Sequence, residues 1–141
     1  MNQTFADPPD LRRLGDEMEI EALLVRYCYA VDAGDWPSYR AMFTDDARVD
    51  YSAAGLPVGT VDDVVDYLTR HHAAMRIGMH YLTNVETGLD GDRADVVAMW
   101  FNAVQLPGAA DMSFFRGRWH ETLTRTPSGW RIAALRLEVV P

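Results

Sequence analysis

Apolar residues recur at three- and four-residue steps from Ile20 through Leu23, Leu24 and Tyr27 to Val31, the spacing of an amphipathic helix. Asp16, with Glu19 three positions on, reads as its N-terminal cap and Gly34 as its end. Asp35-Trp36-Pro37 reads as the cap and first turn of a short second helix that carries Tyr39, Met42 and Phe43 inward. Asp45-Asp46 reads as a turn, Ala47 to Ser52 as a strand and Ala53 to Gly59 as a loop. Thr60 then caps a third helix, Val61 to Met75, with Val64, Val65 and Leu68 on its core face.

From Gly78 onward the period falls to two. Strands are predicted at about 79–87, 93–105, 113–125 and 129–139, separated by Asp90-Gly91-Asp92, Pro107-Gly108 and Pro127-Ser128-Gly129. Helices followed by long antiparallel strands make an α+β domain, and a sheet of this size curls around three helices on one side. Residues 1–15, with Pro8-Pro9 and no periodicity, read as a flexible lead-in; 16–141 read as a single domain.

Composition narrows the chemistry. A chain of 141 residues, 48% apolar, supplies one hydrophobic core. No run reaches the ~18 apolar residues of a membrane span, and the N-terminus lacks an apolar signal-like stretch, so a cytoplasmic location without membrane contact is expected. The net charge of −8 repels phosphate backbones, so no nucleic-acid partner is expected. Cys28, the single cysteine, makes no internal disulfide. All 13 basic residues are arginines, which removes Schiff-base chemistry, a pyridoxal phosphate anchor and a Walker lysine. The four histidines match no metal-ligand spacing, so no metal is expected. Acid–base chemistry without a cofactor, or plain binding, remains.

With Ile20 at zero and 100° per residue, Asp32 falls at about 120°, on the border of the apolar stripe. A carboxylate there either faces solvent or turns into a pocket at the helix end. On the next predicted strand His80, Leu82 and Asn84 share one face, and Met79, Tyr81 and Thr83 the other. His80 beside Asn84 reads either as a hydrogen-bonded structural histidine or as a proton-transfer group. On 113–125 the odd face, Phe115, Gly117, Trp119, Glu121 and Leu123, looks interior, while His120 lies on the polar face with Arg116 and Arg118. Glu121 is then a carboxylate on an apolar face, and Arg136, placed on the face of Trp130 and Ile132, is its expected partner. Aromatic residues, among them Tyr27, Trp36, Tyr51, Phe115 and Trp119, occur on every element and suit a cone that holds a flat apolar ligand. The segment 96–101 is apolar on both parities, so its outer face calls for a cover, most simply a second subunit.

The order of these elements resembles the SnoaL-like branch of the nuclear-transport-factor-2-like superfamily, a group that includes scytalone dehydratase, bile acid 7α-dehydratase and hexachlorocyclohexane dehydrochlorinase. The markers are Ile20, Leu23, Tyr27, Asp32 and Asp35-Trp36; Phe43, Asp46-Ala47 and Asp50-Tyr51; His80-Tyr81, Thr83-Asn84; and Gly129-Trp130-Arg131-Ile132. The resemblance covers residues 16–139. It implies a cone-shaped barrel of curved, mostly antiparallel sheet closed by three helices, a deep apolar pocket and a homodimer. It implies that Asp32 and His80 form a catalytic dyad, that Tyr51 holds a water near a substrate carbonyl and that Tyr27 lines the pocket. Arg136 approximates a late-strand arginine of the dehydrochlorinase.

Such a dyad suits proton abstraction next to a carbonyl, with dehydration or isomerisation of a polyketide, steroid or terpenoid as the expected outcome. Trp36, Asn84, Phe115, Trp119, Glu121 and Arg136 are the expected substrate-binding residues. An aldol-type cyclase shares the same first step. An epoxide hydrolase needs Asp32, Glu121 and Arg136 to converge on a water. A non-catalytic binding or scaffold module predicts that Asp32 and His80 stand apart, or that side chains fill the cone.

Overall fold

A computed structural model describes residues 10–72 and 77–141, with the side chain of Ile77 outside that description. The elements run α1 (Leu11–Ala33), α2 (Trp36–Ala41), β1 (Phe43–Asp50), β2 (Val58–Thr60), α3 (Val61–His71), β3 (Ile77–Asp90), β4 (Arg93–Gln105), β5 (Ser113–Thr126) and β6 (Gly129–Val139). Two helices, two shorter strands and a third helix precede the four long strands that complete one six-stranded sheet, the expected α+β arrangement. The sheet runs β2-β1-β6-β5-β4-β3; β1 and β6 are parallel and the other pairs antiparallel. It is curved and unclosed, which is the cone.

The four long strands lie within three residues of their expected bounds. Thr60 caps α3 as expected: its hydroxyl accepts from the Asp63 N–H while the Asp63 carboxylate accepts from the Thr60 N–H. The described part of α3 ends at His71, and the expected continuation to Met75 runs into residues outside the description.

The first helix begins earlier than its periodicity signals. Asp10, not Asp16, is the cap, its carboxylate accepting the N–H groups of Arg12 and Arg13. Leu11, Leu14 and Met18 are exposed, so the early turns carry no inward stripe to read. Asp16 instead accepts Trp130 Nε1–H at 3.1 Å and the Arg125 guanidinium at 2.8 Å, and Glu19 accepts the Trp130 backbone N–H at 3.0 Å. Arg125 also lies 4.6 Å over the Trp130 ring. This cluster fastens α1 to the β5–β6 hairpin, and Arg125 holds the Asp16 carboxyl below the usual carboxylate range. The expected turn at Asp45-Asp46 lies within β1, which starts at Phe43 opposite Ile132 and is irregular up to Arg48.

Two bulges decide which side chains enter the cone. In β3, Thr83 pairs with Met99 and Val85 with Ala98, leaving Asn84 as an extra residue at φ +41°. In β6, Thr122 pairs with Ala134 and Leu123 with Ile132, leaving Ala133 extra. Each extra residue reverses the inward parity of the strand beyond it. The interior is packed with Ile20, Leu23 and Leu24 of α1, Tyr39 of α2, Trp119 and Leu123 of β5 and Trp130 and Ile132 of β6, all nearly inaccessible.

Candidate functional site

Asp32 stands in the last turn of α1, just before Gly34, whose φ of +67° closes the helix. A side chain at Gly34 would be strained, and its Cβ would meet the His72 ring at 2.8 Å. The chain therefore turns sharply after Asp32, and the carboxylate points across to edge strand β3. There Oδ1 accepts from His80 Nδ1 at 2.6 Å and Oδ2 accepts the His80 backbone N–H at 2.9 Å. An ionised carboxylate only accepts, so Nδ1 carries the ring proton and Nε2 is left with its lone pair. The backbone contact fixes the carboxylate plane and the ring contact fixes the imidazole. Both side chains keep about a fifth of their surface exposed, 21% for Asp32 and 18% for His80, so the pair is reachable.

The dyad opens on a pocket of about 430 Å³ walled by Val25, Cys28, Tyr29, Met79 and Leu82. Burial, reinforced by Asp32, pushes the Cys28 thiol up to about 12, which keeps it a neutral wall residue. On its inward side the His80 ring lies 6.2 Å from Trp119 and 6.4 Å from Trp100, and the two indoles stack at 6.0 Å.

Behind Trp119 lies a chain of phenols. Tyr27 packs edge-on against Trp119 at 5.1 Å and its hydroxyl bonds that of Tyr51, which bonds Tyr39 at 2.7 Å. Tyr51 is engaged on both sides and 5% exposed. Its hydroxyl therefore meets the other two phenols, and Tyr27 is the member of the chain that packs on Trp119, the indole beside the His80 ring. Burial raises all three phenols well above their ordinary value, so they are neutral donors.

Glu121 faces inward, as its parity predicts, and is 4% exposed. Its expected ion pair with Arg136 does not form. The β6 bulge turns Leu135 and Leu137 inward and leaves Arg136 exposed on the outer face. Among the described residues neither Glu121 oxygen has a hydrogen-bond partner, and burial pushes the carboxyl up to about 8. At pH 7 the group is therefore mostly the neutral acid. An Asp32–Arg136–Glu121 water site does not assemble.

The remaining expected residues divide as follows. Asn84 sits exposed on the β3 bulge, off the face of His80. Phe115 is 39% exposed and pairs with Asn102, which in turn pairs with His80. Trp36 is buried against Tyr39 and His72, at ring separations of 5.7 and 5.3 Å. His120 points outward, as expected, and its Nε2 meets Glu138 at 2.6 Å. Trp100 and Asn102 were not singled out. Their signal was the even-numbered inward parity of β4, where Ala94, Val96, Ala98 and Trp100 are all buried.

The sequence of residues 12–136 matches the SnoaL-like domain family model. Over 120 residues, 84% of this chain and 82% of the other, it is 32% identical to an uncharacterized protein of Mycobacterium tuberculosis. Its fold matches that of a Kribbella flavida protein with a TM-score of 0.82 at 25% identity, covering 92% of this chain and 93% of that one. It also matches a hexachlorocyclohexane dehydrochlorinase from Novosphingobium barchaimii with a TM-score of 0.81 over 94% of this chain and 91% of that one. At 16% identity this last likeness is one of fold.

Proposed function

The chain belongs to the SnoaL-like domain family, and from that membership and the dyad geometry we propose that it is a cofactor-independent lyase or isomerase. The observation that carries the reading is the 2.6 Å contact between Asp32 and His80 Nδ1, which leaves Nε2 free as a base. His80 Nε2 takes a proton from carbon next to a substrate carbonyl, and Asp32 stabilises the imidazolium that forms. Tyr27, polarised through Tyr51 and Tyr39, donates to the enolate oxygen. The proton then returns to a leaving hydroxyl, which is dehydration, or to another carbon, which is isomerisation. The largely apolar walls, Val25, Cys28, Tyr29, Met79 and Leu82, suit an apolar oxygenated substrate such as a polyketide, steroid or terpenoid. Elimination is also the chemistry in the name of the dehydrochlorinase that shares the fold.

The test is incubation with a panel of hydroxyketones of those classes, with the small molecules weighed before and after. A loss of 18 mass units, as expected of dehydration, or an isobaric product supports the reading. Binding across the panel without conversion moves the chain to a carrier role.

The proposal includes a homodimer. On the outer face of β3, β4 and β5, Tyr81, Phe101 and Phe114 form a ladder with ring separations of 6.2 and 5.7 Å, and Met79 and Met99 flank it. Nearby, Arg48 and Arg136 face Glu86 and Asp95 across an outer groove of about 610 Å³, a charge pattern that complements itself under a two-fold axis. Sedimentation at micromolar concentration is expected to give about twice the monomer mass, and Phe101→Glu to shift it to the monomer. A wild-type monomer contradicts the dimer.

A further inference from the structure

Among the described residues, every buried side-chain polar atom without a hydrogen-bond partner lies on two strands: Trp100 Nε1 and Asn102 Oδ1 on β4, and the two Glu121 oxygens on β5. Protonation spares Glu121 a buried charge. Trp100 and Asn102 have no such route, because neither titrates. Leaving a donor and an acceptor dry forfeits their hydration without replacing it, and natural folds rarely carry such a cost without a use.

Their placement suggests the use. Asn102 is the direct cross-strand partner of His80, and Trp100 that of Leu82, the next inward residue of β3. Cross-strand partners share a face with Cβ atoms about 4.5–5.5 Å apart, and residues two apart on one strand about 7 Å. Trp100 is 6% exposed, and on its other side its partner is Gly117. A Cβ at Gly117 would lie 2.9 Å from Trp100 Cζ2, so the missing side chain gives the indole its bed.

We infer that Trp100 and Asn102 form a hydroxyl-binding subsite beside His80, with Trp100 Nε1–H donating to the substrate oxygen and Asn102 Oδ1 accepting its proton. A hydroxyl is the smallest group that accepts and donates through one oxygen. A ketone satisfies only the indole, and an ammonium only the amide. The inference rests on the proposed acid–base reading and narrows it to β-hydroxy carbonyl compounds undergoing dehydration. The C–H bond next to the carbonyl breaks and its proton goes to His80 Nε2. The electron pair left on carbon becomes the new C=C bond as the C–O bond at the subsite breaks. The departing oxygen takes the proton back from His80 and leaves as water.

The test measures affinity and exchange separately. Binding of 4-hydroxy-4-phenylbutan-2-one and of 4-phenylbutan-2-one, which lacks only the hydroxyl, is compared by calorimetry for the wild type, Trp100→Phe and Asn102→Leu. The wild type is expected to prefer the hydroxyketone by about 10-fold or more. Each variant should lose most of that preference and bind the simple ketone as before, with melting curves separating the packing lost at Trp100→Phe from the polar effect. Equal affinity for the two ketones in the wild type, or no measurable affinity for either, overturns the subsite. Deuterium uptake next to the carbonyl of the simple ketone reports on the His80 base alone, so the subsite can fail while that reading stands.

Discussion

Asp32→Asn is expected to reduce turnover by about 10³-fold or more while leaving the fold and its melting temperature nearly unchanged. The reason lies in the two contacts Asp32 makes. One oxygen accepts from His80 Nδ1 and the other from the His80 backbone N–H. Asparagine offers one acceptor and one donor in place of two acceptors. If its oxygen keeps the backbone N–H, its NH₂ faces Nδ1 and favours the tautomer with the proton on Nε2, the nitrogen required as base. If its oxygen keeps the ring, the NH₂ collides with the backbone N–H and the carboxylate charge that stabilises an imidazolium is still lost. His80→Ala removes the base outright and should fall to the same floor. The double variant should be no worse than either single one, because the two residues act as a unit. Retention of most activity by both single variants contradicts the dyad. Steady-state rates and melting curves of the three variants make the comparison.

The second large effect concerns stability. Wild-type protein is expected to lose on the order of 4 kcal/mol between pH 4.5 and pH 8 from Glu121 alone. Its folded-state value, pushed up to about 8 by burial, lies above that of the unfolded chain. Below both values the carboxyl is protonated in either state and imposes no penalty. As pH rises between them, the unfolded chain releases a proton that the folded chain retains, and stability falls. Above about 8 the full penalty is present. Burial alone raises Glu121, and the titratable groups that feel its charge, Tyr27 and Cys28 of α1, Tyr39 of α2 and Tyr51, are themselves raised and neutral across this range. Glu121→Gln has the same shape and does not titrate, so its melting temperature should fall less steeply from pH 5 to pH 8.5, opening a gap of roughly 10 °C. Asp16, Asp95 and Glu138, all held below the usual carboxylate range, act in the acid limb of both proteins and cancel in the difference. Parallel melting curves for the two proteins contradict this assignment.

The parts of the molecule that were legible in the sequence are those governed by an uninterrupted period. The helical step of 3.6 residues set Asp32 at the edge of the α1 stripe, where it can leave the core and reach β3. Period two put His80 on one face with Leu82, the face the structure turns inward, placed Glu121 within the cone and sent His120 outward. Each failure of parity follows an inserted residue. Nothing local marks Asn84 or Ala133 as a bulge, because the inserted residue is defined by what the neighbouring strand does. Counting through Ala133 put Arg136 on the wrong face and supplied Glu121 with a cation it does not have. Counting through position 84 placed Asn84 beside His80, where the inward polar neighbour is Asn102 of the next strand. The phenol chain was hidden for a different reason. Tyr27, Tyr39 and Tyr51 come from three segments, and only tertiary packing brings their hydroxyls together.

The claim at the centre of this account is that His80, held by Asp32, removes a proton next to a carbonyl. Solvent deuterium incorporation tests that step without requiring the natural substrate. Apolar ketones of one to four rings are incubated with the protein in D₂O and followed by proton NMR. The account predicts enzyme-dependent loss of α-proton signal from at least the ketones that bind, abolished in Asp32→Asn and His80→Ala. Ketones that bind at the dyad yet keep their α-protons at the uncatalysed rate would contradict it.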